Sequence, residues 1–208
     1  MKYKRHVVIK KLISVLKEND VAIFTGKELC EEAFMYDRPG NFYIENVDGF
    51  ASSIALGMAL CNNKRVFVFC EDWDFLKEIG IAAQMGVSRA ENIFYILLSS
   101  GRYSFSGGQP NIFAEVTAPK WIFSGFGFIT NDFTHYLKNK QLMKELESYI
   151  ERVRGPLVVL MNVKDEFDKK ARTKVKHSPP KLTKRIKKFL VDSNLGTSLY
   201  TPPFIGGR

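Results

Sequence analysis

The sequence predicts an α/β domain with a mostly parallel, doubly wound sheet and helices on both faces. Three observations predict it. Short apolar runs alternate with segments of helical spacing along the chain. Several of those runs, Arg65–Cys70, Ile93–Leu98 and Leu157–Val163, are apolar at nearly every position, as strands covered on both faces are. The 208 residues, 45% hydrophobic and 13% aromatic, suffice for one well-filled core and are too few for two large domains.

The elements follow in order. Ile9, Leu12, Ile13 and Leu16 recur at helical spacing and give an amphipathic opening helix ending near Asn19-Asp20. Val21–Phe24 is a short strand that stops at Thr25-Gly26. Lys27–Tyr36 reads as a helix ended by Arg38-Pro39-Gly40, and Phe42–Ile44 as a second short strand. Gly49–Leu60 is a helix whose small residues permit close packing on a sheet. Arg65–Cys70 is a buried strand, Phe75–Met85 a helix and Ile93–Leu98 another buried strand. Ser99–Pro110 is a loop rich in Gly and Ser. A helix covers part of Ala114–Ser124, limited by Pro119, and Phe126–Ile129 is a weak strand. Leu137–Val153 is a strongly amphipathic helix, with Leu142, Leu146, Tyr149, Ile150 and Val153 on one face. Gly155-Pro156 breaks it, and Leu157–Val163 is the last buried strand.

The organisation expected is an N-terminal helix (1–19), an α/β domain (20–165), a basic arm (166–190) and an extended tail (191–208) that reads as a docking peptide. No run approaches 18 apolar residues, which excludes a membrane-spanning helix, and Met1–Lys17 lacks the apolar stretch of a signal peptide. Cys30, Cys61 and Cys70 are odd in number and sit in apolar surroundings, so they read as buried thiols in a reducing compartment, the cytoplasm. His6, His135 and His177 lie far from any cysteine in sequence, which argues against zinc. His135 and His177 read as solvated.

The net charge of +9 is local. Ten of the 31 basic residues lie between Lys169 and Lys188 with no acid among them, and the rest of the chain is close to neutral. The basic stretch lacks the interleaved aromatics of a nucleic-acid surface and the continuous apolar face of a membrane-surface helix. It reads as an arm wrapping the domain or a neighbour.

In doubly wound sheets ligands bind beyond the carboxyl ends of the strands. The segments there are F-T-G-K-E-L (24–29), D-G-F-A-S-S-I-A-L-G-M-A-L (48–60), E-D-W-D (71–74) and S-S-G-R-Y-S-F-S-G-G-Q-P (99–110). In this order they resemble the diphosphate-binding domain of thiamine-diphosphate enzymes, the phosphonopyruvate and sulfopyruvate decarboxylase group above all. R-G-P-L-V-V-L-M-N-V-K (154–164) looks like that group's last strand, and Arg172 with S-P-P-K-L-T-K-R-I-K-K-F-L (178–190) like its closing arm. The likeness covers about residues 20–190.

The resemblance implies thiamine diphosphate and Mg²⁺ as cofactors. Thr25, Gly26, Gly49, Phe50, Ser52, Trp73, Asp74, Tyr103, Gly107, Gly108 and Gln109 would face the cofactor. Asp72, Ser100 and the carbonyl of Arg102 would hold the metal, because Mg²⁺ takes hard oxygen donors. It implies no catalytic residue in this chain: the activating glutamate comes from a separate pyrimidine-binding subunit, in a homo- or hetero-oligomer acting on a small 2-oxo acid. The family's glycines beside the metal Asp are replaced by Glu71 and Trp73, its Asn-containing pair by Ser99-Ser100, and its histidine by Phe50.

A second reading therefore stands beside the first, a non-catalytic member of the fold that serves assembly, with Trp73 filling the space meant for the diphosphate. Single residues keep plainer readings as well. Asp72 also reads as the cap of the following helix, Thr25-Gly26 as a strand-to-helix cap, Gly107–Pro110 as an ordinary turn, and Phe50 and Trp73 as partner contacts or local core. Cys70 reads as a buried structural thiol or a reactive one.

Overall fold

The computed structural model describes residues 3–45, 48–115, 119–133, 141–164 and 169–191. Its centre is a seven-stranded, wholly parallel sheet. The strands are β1 (Tyr3–Lys4), β2 (Val21–Thr25), β3 (Asn41–Ile44), β4 (Val66–Glu71), β5 (Ile93–Ser99), β8 (Ile129–Asp132) and β9 (Leu157–Lys164). They are ordered β9-β5-β4-β2-β3, and one edge of β9 is shared end to end by β8 and β1.

Alternation along each strand sends residues to two apolar clusters, one per face. Ala22, Phe24, Phe67, Phe69, Phe94 and Ile96 meet α1 (Arg5–Ser14), α2 (Lys27–Phe34) and α8 (Gln141–Arg152). Their intervening neighbours Val21, Ile23, Val66, Val68, Ile93 and Tyr95 meet α3 (Ala51–Cys61), α5 (Ile79–Val87) and α7 (Lys120–Gly125). On the first face the register places aromatics opposite one another, and Phe24 stacks on Phe69 at 4.6 Å and Phe67 on Phe94 at 4.8 Å. Such pairs add about 1 kcal/mol each to the area they bury.

Several expected boundaries move. The opening helix ends at Ser14, closed by backbone bonds from Val15 and Leu16, and Val8, Ile9, Leu12 and Ile13 are its buried stripe. The helix expected over Phe75–Met85 is two, α4 (Asp72–Phe75) and α5, because Leu76–Glu78 turns the chain so that the Glu78 carboxylate can reach α3. The late loop contains a hairpin, β6 (Arg102–Tyr103) with β7 (Gln109–Pro110). The helix expected within Ala114–Ser124 is α6 (Ile112–Glu115) followed by α7, and the weak strand lies three residues later, at Ile129–Asp132. The expected span 137–140 of α8, His135 and the tail from 192 onward fall outside the described residues.

The basic arm closes as α9 (Pro179–Val191), which buries Leu182 and Ile186. Arg185 fixes it to the edge of the sheet, with its guanidinium on Asp37 at 2.8 and 3.1 Å and on the Asn41 carbonyl at 2.5 Å. Gly40 permits the approach, since a Cβ there would run into the Asp20 carbonyl and the Phe189 ring. Among the described residues no helix is long and apolar enough to cross a membrane.

Candidate functional site

The chain leaves β2 through α2 to β3 on one side and returns through α3, on the other face, to β4 on the opposite side of β2. The carboxyl ends of β2 and β4 therefore flank the point where the winding reverses, which is where open α/β sheets form a crevice. Thr25-Gly26 closes β2 there, Gly49–Ser52 enters α3, and Glu71–Asp74 leaves β4. Ser99–Gly101 lies alongside at the end of β5.

Two carboxylates fill the crevice. Asp74 Oδ2 accepts from the Thr25 hydroxyl at 2.5 Å, and Asp74 Oδ1 from the Gly49 N–H at 2.9 Å. Gly49 has φ +78°, a left-handed turn suited to glycine that aims this N–H inward. Glu78 Oε2 accepts from the Ser52 N–H in the first turn of α3 at 2.9 Å, and Glu78 Oε1 from the Tyr95 hydroxyl at 3.1 Å. The unpaired N–H groups at a helix start carry partial positive charge and hold anions, and here they hold the chain's own.

Burial pushes the Asp74 and Glu78 carboxyls above the usual carboxylate range, while these hydrogen bonds pull them back. Cys70 Sγ lies 3.9 Å from Asp74 and 4.0 Å from Glu78. Burial, reinforced by those carboxylates, drives its thiol well above the usual range, which favours the structural reading over the reactive one.

Asp72 is wholly buried and braces the late loop. Its Oδ2 accepts from the Ser99 hydroxyl at 2.8 Å and the Gly101 N–H at 2.7 Å, and its Oδ1 from the Trp73 N–H at 2.8 Å. Ser100 closes its own turn: its Oγ accepts from the Arg102 N–H at 3.2 Å and donates to the Arg102 carbonyl at 3.4 Å. Tyr103, Gly107, Gly108 and Gln109 form the hairpin, tied by Gly108 N–H to the Tyr103 carbonyl and by Arg102 Nη1 to the Gly108 carbonyl.

Trp73 is buried, and its ring edge lies 3.6 Å from where a Gly26 Cβ would stand. The Lys77 ammonium sits 4.7 Å from the Trp73 ring and pairs with Asp48 at 2.7 Å. Phe50 points outward and is 54% exposed. The fold thus brings together Thr25, Gly26, Gly49, Ser52, Trp73 and Asp74, sets Asp72 with the Ser99–Gly101 turn beside them, and leaves the hairpin as a unit of its own.

On the other face of β4, Glu71 meets Arg5 at the start of α1, and Arg5 also contacts Glu32 of α2 at 2.9 and 3.1 Å. One guanidinium thus serves two buried carboxylates. Burial pushes the Glu71 carboxyl up to about 7, against the pull of Arg5. A raised carboxyl binds its proton more tightly in the folded state. Its stabilising contribution is therefore full below about 4.5, the unfolded value, and is lost as the pH rises through about 7. The shift corresponds to about 3 kcal/mol. The thermal midpoint should fall over that window and should do so less in Glu71→Gln; a flat wild-type profile would refute the assignment.

Sequence reading missed Glu78, Arg5 and Glu32. The spacing of Arg5 from its partners, 27 and 66 residues, leaves no local signal. Glu78 had one: E-D-W-D-F-L-K-E (71–78) packs four acids into eight residues at the end of a buried strand, at a place expected to hold an anion. Two further expectations are corrected. Cys61 is exposed, because it ends α3 on its outer side. His177 is not simply solvated: its ring packs edge-on to Phe34 and its Nε2 lies 3.7 Å from Asp37.

The donor set suits a diphosphate in one respect and fails a metal in another. Thr25 Oγ1, Gly49 N–H and Ser52 N–H are donors to anionic groups, as their bonds to the Asp74 and Glu78 carboxylates show. The Asp72 carboxylate is spent on three internal donors and the Ser100 hydroxyl on its own turn, so these residues do not fit Mg²⁺ as arranged. Among the described residues no group of three or more His, Cys, Asp or Glu could hold a metal ion.

No family model matches the chain. It is 29% identical over 128 residues to the sulfopyruvate decarboxylase subunit beta of Methanocaldococcus jannaschii, covering 61% of this chain and 68% of that one. It is 25% identical over 205 residues to the phosphonopyruvate decarboxylase of Streptomyces viridochromogenes, covering 98% of this chain and 50% of that one. The chain thus spans between half and about two thirds of the length of these relatives. A solved structure from Mycobacterium smegmatis, assigned as a thiamin diphosphate-dependent enzyme, superposes with a TM-score of 0.55 at 18% identity, covering 78% of this chain and 32% of that one.

Proposed function

We propose that this chain, a relative of the sulfopyruvate and phosphonopyruvate decarboxylases with the fold of a thiamine-diphosphate enzyme, is the diphosphate-side subunit of a 2-oxo acid decarboxylase. The observation that carries this reading is the set of anion donors at the point where the winding reverses, Thr25 Oγ1 and Gly49 N–H on Asp74 and Ser52 N–H on the neighbouring Glu78. The relatives' names supply the reaction class, and the name "subunit beta" supports a separate partner chain. That partner would carry the pyrimidine-side half of the site and its activating glutamate, in a hetero-oligomer. The unpaired thiols suit a reducing, cytoplasmic setting.

In this reading Thr25, Gly49 and Ser52 hold the diphosphate. The α3 N-terminus supplies fixed positive potential without a mobile side chain, which favours an anion with little reorganisation. When bound, the cofactor supplies the electron sink on which a 2-oxo acid loses CO₂. This chain anchors the cofactor and seals one wall of the site: Trp73 and the apolar strand ends exclude water on the sheet side. Mg²⁺ belongs to the reading only if Asp72 exchanges its internal donors for the metal.

The test is co-purification with the pyrimidine-side subunit from the native source, release of bound thiamine diphosphate, and assay of CO₂ from 3-carbon 2-oxo acids. Bound cofactor and CO₂ release from the mixed subunits are expected. A complex that contains neither would sink the reading.

A further inference from the structure

We propose that Asp74 and Glu78 are resident occupants of the anion cradle and set its affinity for diphosphate, so that the free chain binds diphosphate only when these carboxylates leave. This rests on the cradle identified above and goes beyond it by assigning competitors within the chain.

The geometry is one of exclusion. Each backbone N–H has a single proton to give, and those of Gly49 and Ser52 are given to Asp74 and Glu78 at 2.9 Å. The Thr25 proton goes to the second oxygen of Asp74 at 2.5 Å. A phosphate oxygen can take these donors only after the carboxylates release them. Charge acts in the same direction. Asp74 and Glu78 are fully or nearly fully buried, Asp48 stands at the rim, and Lys77 is the cation paired there. Among the described residues Asp72, Glu71, the Cys70 and Cys30 thiols and the Tyr95 hydroxyl are the other titratable groups near them, and Arg5 stands on the opposite face of β4. An incoming diphosphate meets like charge in a dry crevice.

The local chain offers a way out. Asp74 in the four-residue α4 and Glu78 at the end of the Leu76–Glu78 turn lie on one short segment before α5, and Lys77 in that turn holds the rim through Asp48 and the Trp73 ring. Displacing this one segment frees all three donors and withdraws Trp73 from Gly26 together.

The experiment uses the full chain alone, with inorganic pyrophosphate and thiamine diphosphate as probes, each with and without Mg²⁺, read by calorimetry. Asp74→Asn combined with Glu78→Gln removes both charges at nearly constant volume and leaves one acceptor oxygen at each position, where each carboxylate had used two. The wild type should show no saturable binding at millimolar probe, and the double variant should bind pyrophosphate at least about tenfold more tightly. Equal binding by the two proteins, or none by either, overturns the inference.

Should the double variant fail to fold, amide hydrogen exchange on the wild type decides. Gly49 and Ser52 should be strongly protected and unchanged by millimolar pyrophosphate, and a pyrophosphate-dependent change overturns the inference. No partner subunit enters these measurements. A chain that gains pyrophosphate binding as the double variant, yet never associates with a pyrimidine-side subunit, keeps this inference and sinks the proposed function.

Discussion

Replacing Arg5 with methionine should lower the thermal midpoint by about 10 °C. The substitution removes the only cation in contact with Glu32 and Glu71 among the described residues, and both carboxylates are at most 3% exposed. Breaking a buried ion pair from one side costs about 3–5 kcal/mol, because the orphaned charge has no solvent to return to. For a chain of this size that corresponds to about 2–4 °C per kcal/mol. Methionine retains most of the volume, so the loss reports charge more than packing. The triple variant Arg5→Met, Glu32→Gln, Glu71→Gln should recover most of it, since no charge is then left buried. Calorimetric melting of the three proteins is the check; an unchanged midpoint in the single variant would show that the triad is not formed in solution.

The second large effect is expected at Asp72. Asp72→Ala removes the acceptor of the Ser99 hydroxyl and of the Gly101 and Trp73 N–H groups, all buried. Hydrogen bonds to a charged group contribute about 1.5–3 kcal/mol each and do not add fully, so a loss of about 3–4 kcal/mol is expected. The midpoint should again drop by about 10 °C, and millimolar Mg²⁺ should leave the wild-type midpoint where it is. A metal ligand would behave oppositely: the variant would melt like the wild type without Mg²⁺, and Mg²⁺ would raise the wild type alone. Melting curves of both proteins with and without Mg²⁺ distinguish the two roles.

The strands were legible because a strand covered on both faces is apolar at nearly every position. Arg65–Cys70 and Ile93–Leu98 differ by one residue at most at either end from the observed β4 and β5. The strand-end segments were legible for the same reason, since parallel strands deliver their carboxyl ends to one edge. What failed was local in appearance and tertiary in cause. Phe75–Met85 reads as a continuous helix until Glu78 is seen to need the α3 N-terminus. Asp72 reads as a metal ligand or a helix cap, and beside the adjacent Trp73 N–H its partners are 27 and 29 residues away in a loop whose path no pattern reveals. Asp74 was placed in the site, but not as the group that fills it. In each case a buried polar atom took the nearest donor in space, and nearness in space is what a one-dimensional pattern lacks.

The strap formed by α9 has a consequence for how this chain meets other chains. β3 is the outermost strand on its side, and such a strand presents a row of unpaired backbone groups that can template sheet growth between molecules. Arg185 takes the Asn41 carbonyl in that row, and α9 lies along the strand with Lys181, Lys184, Lys187 and Lys188 turned to solvent. Removing 178–191 would therefore uncover an aggregation-competent border and strip away the positive charge that keeps two such borders apart. The lysines of α9 are a fence along this outer strand.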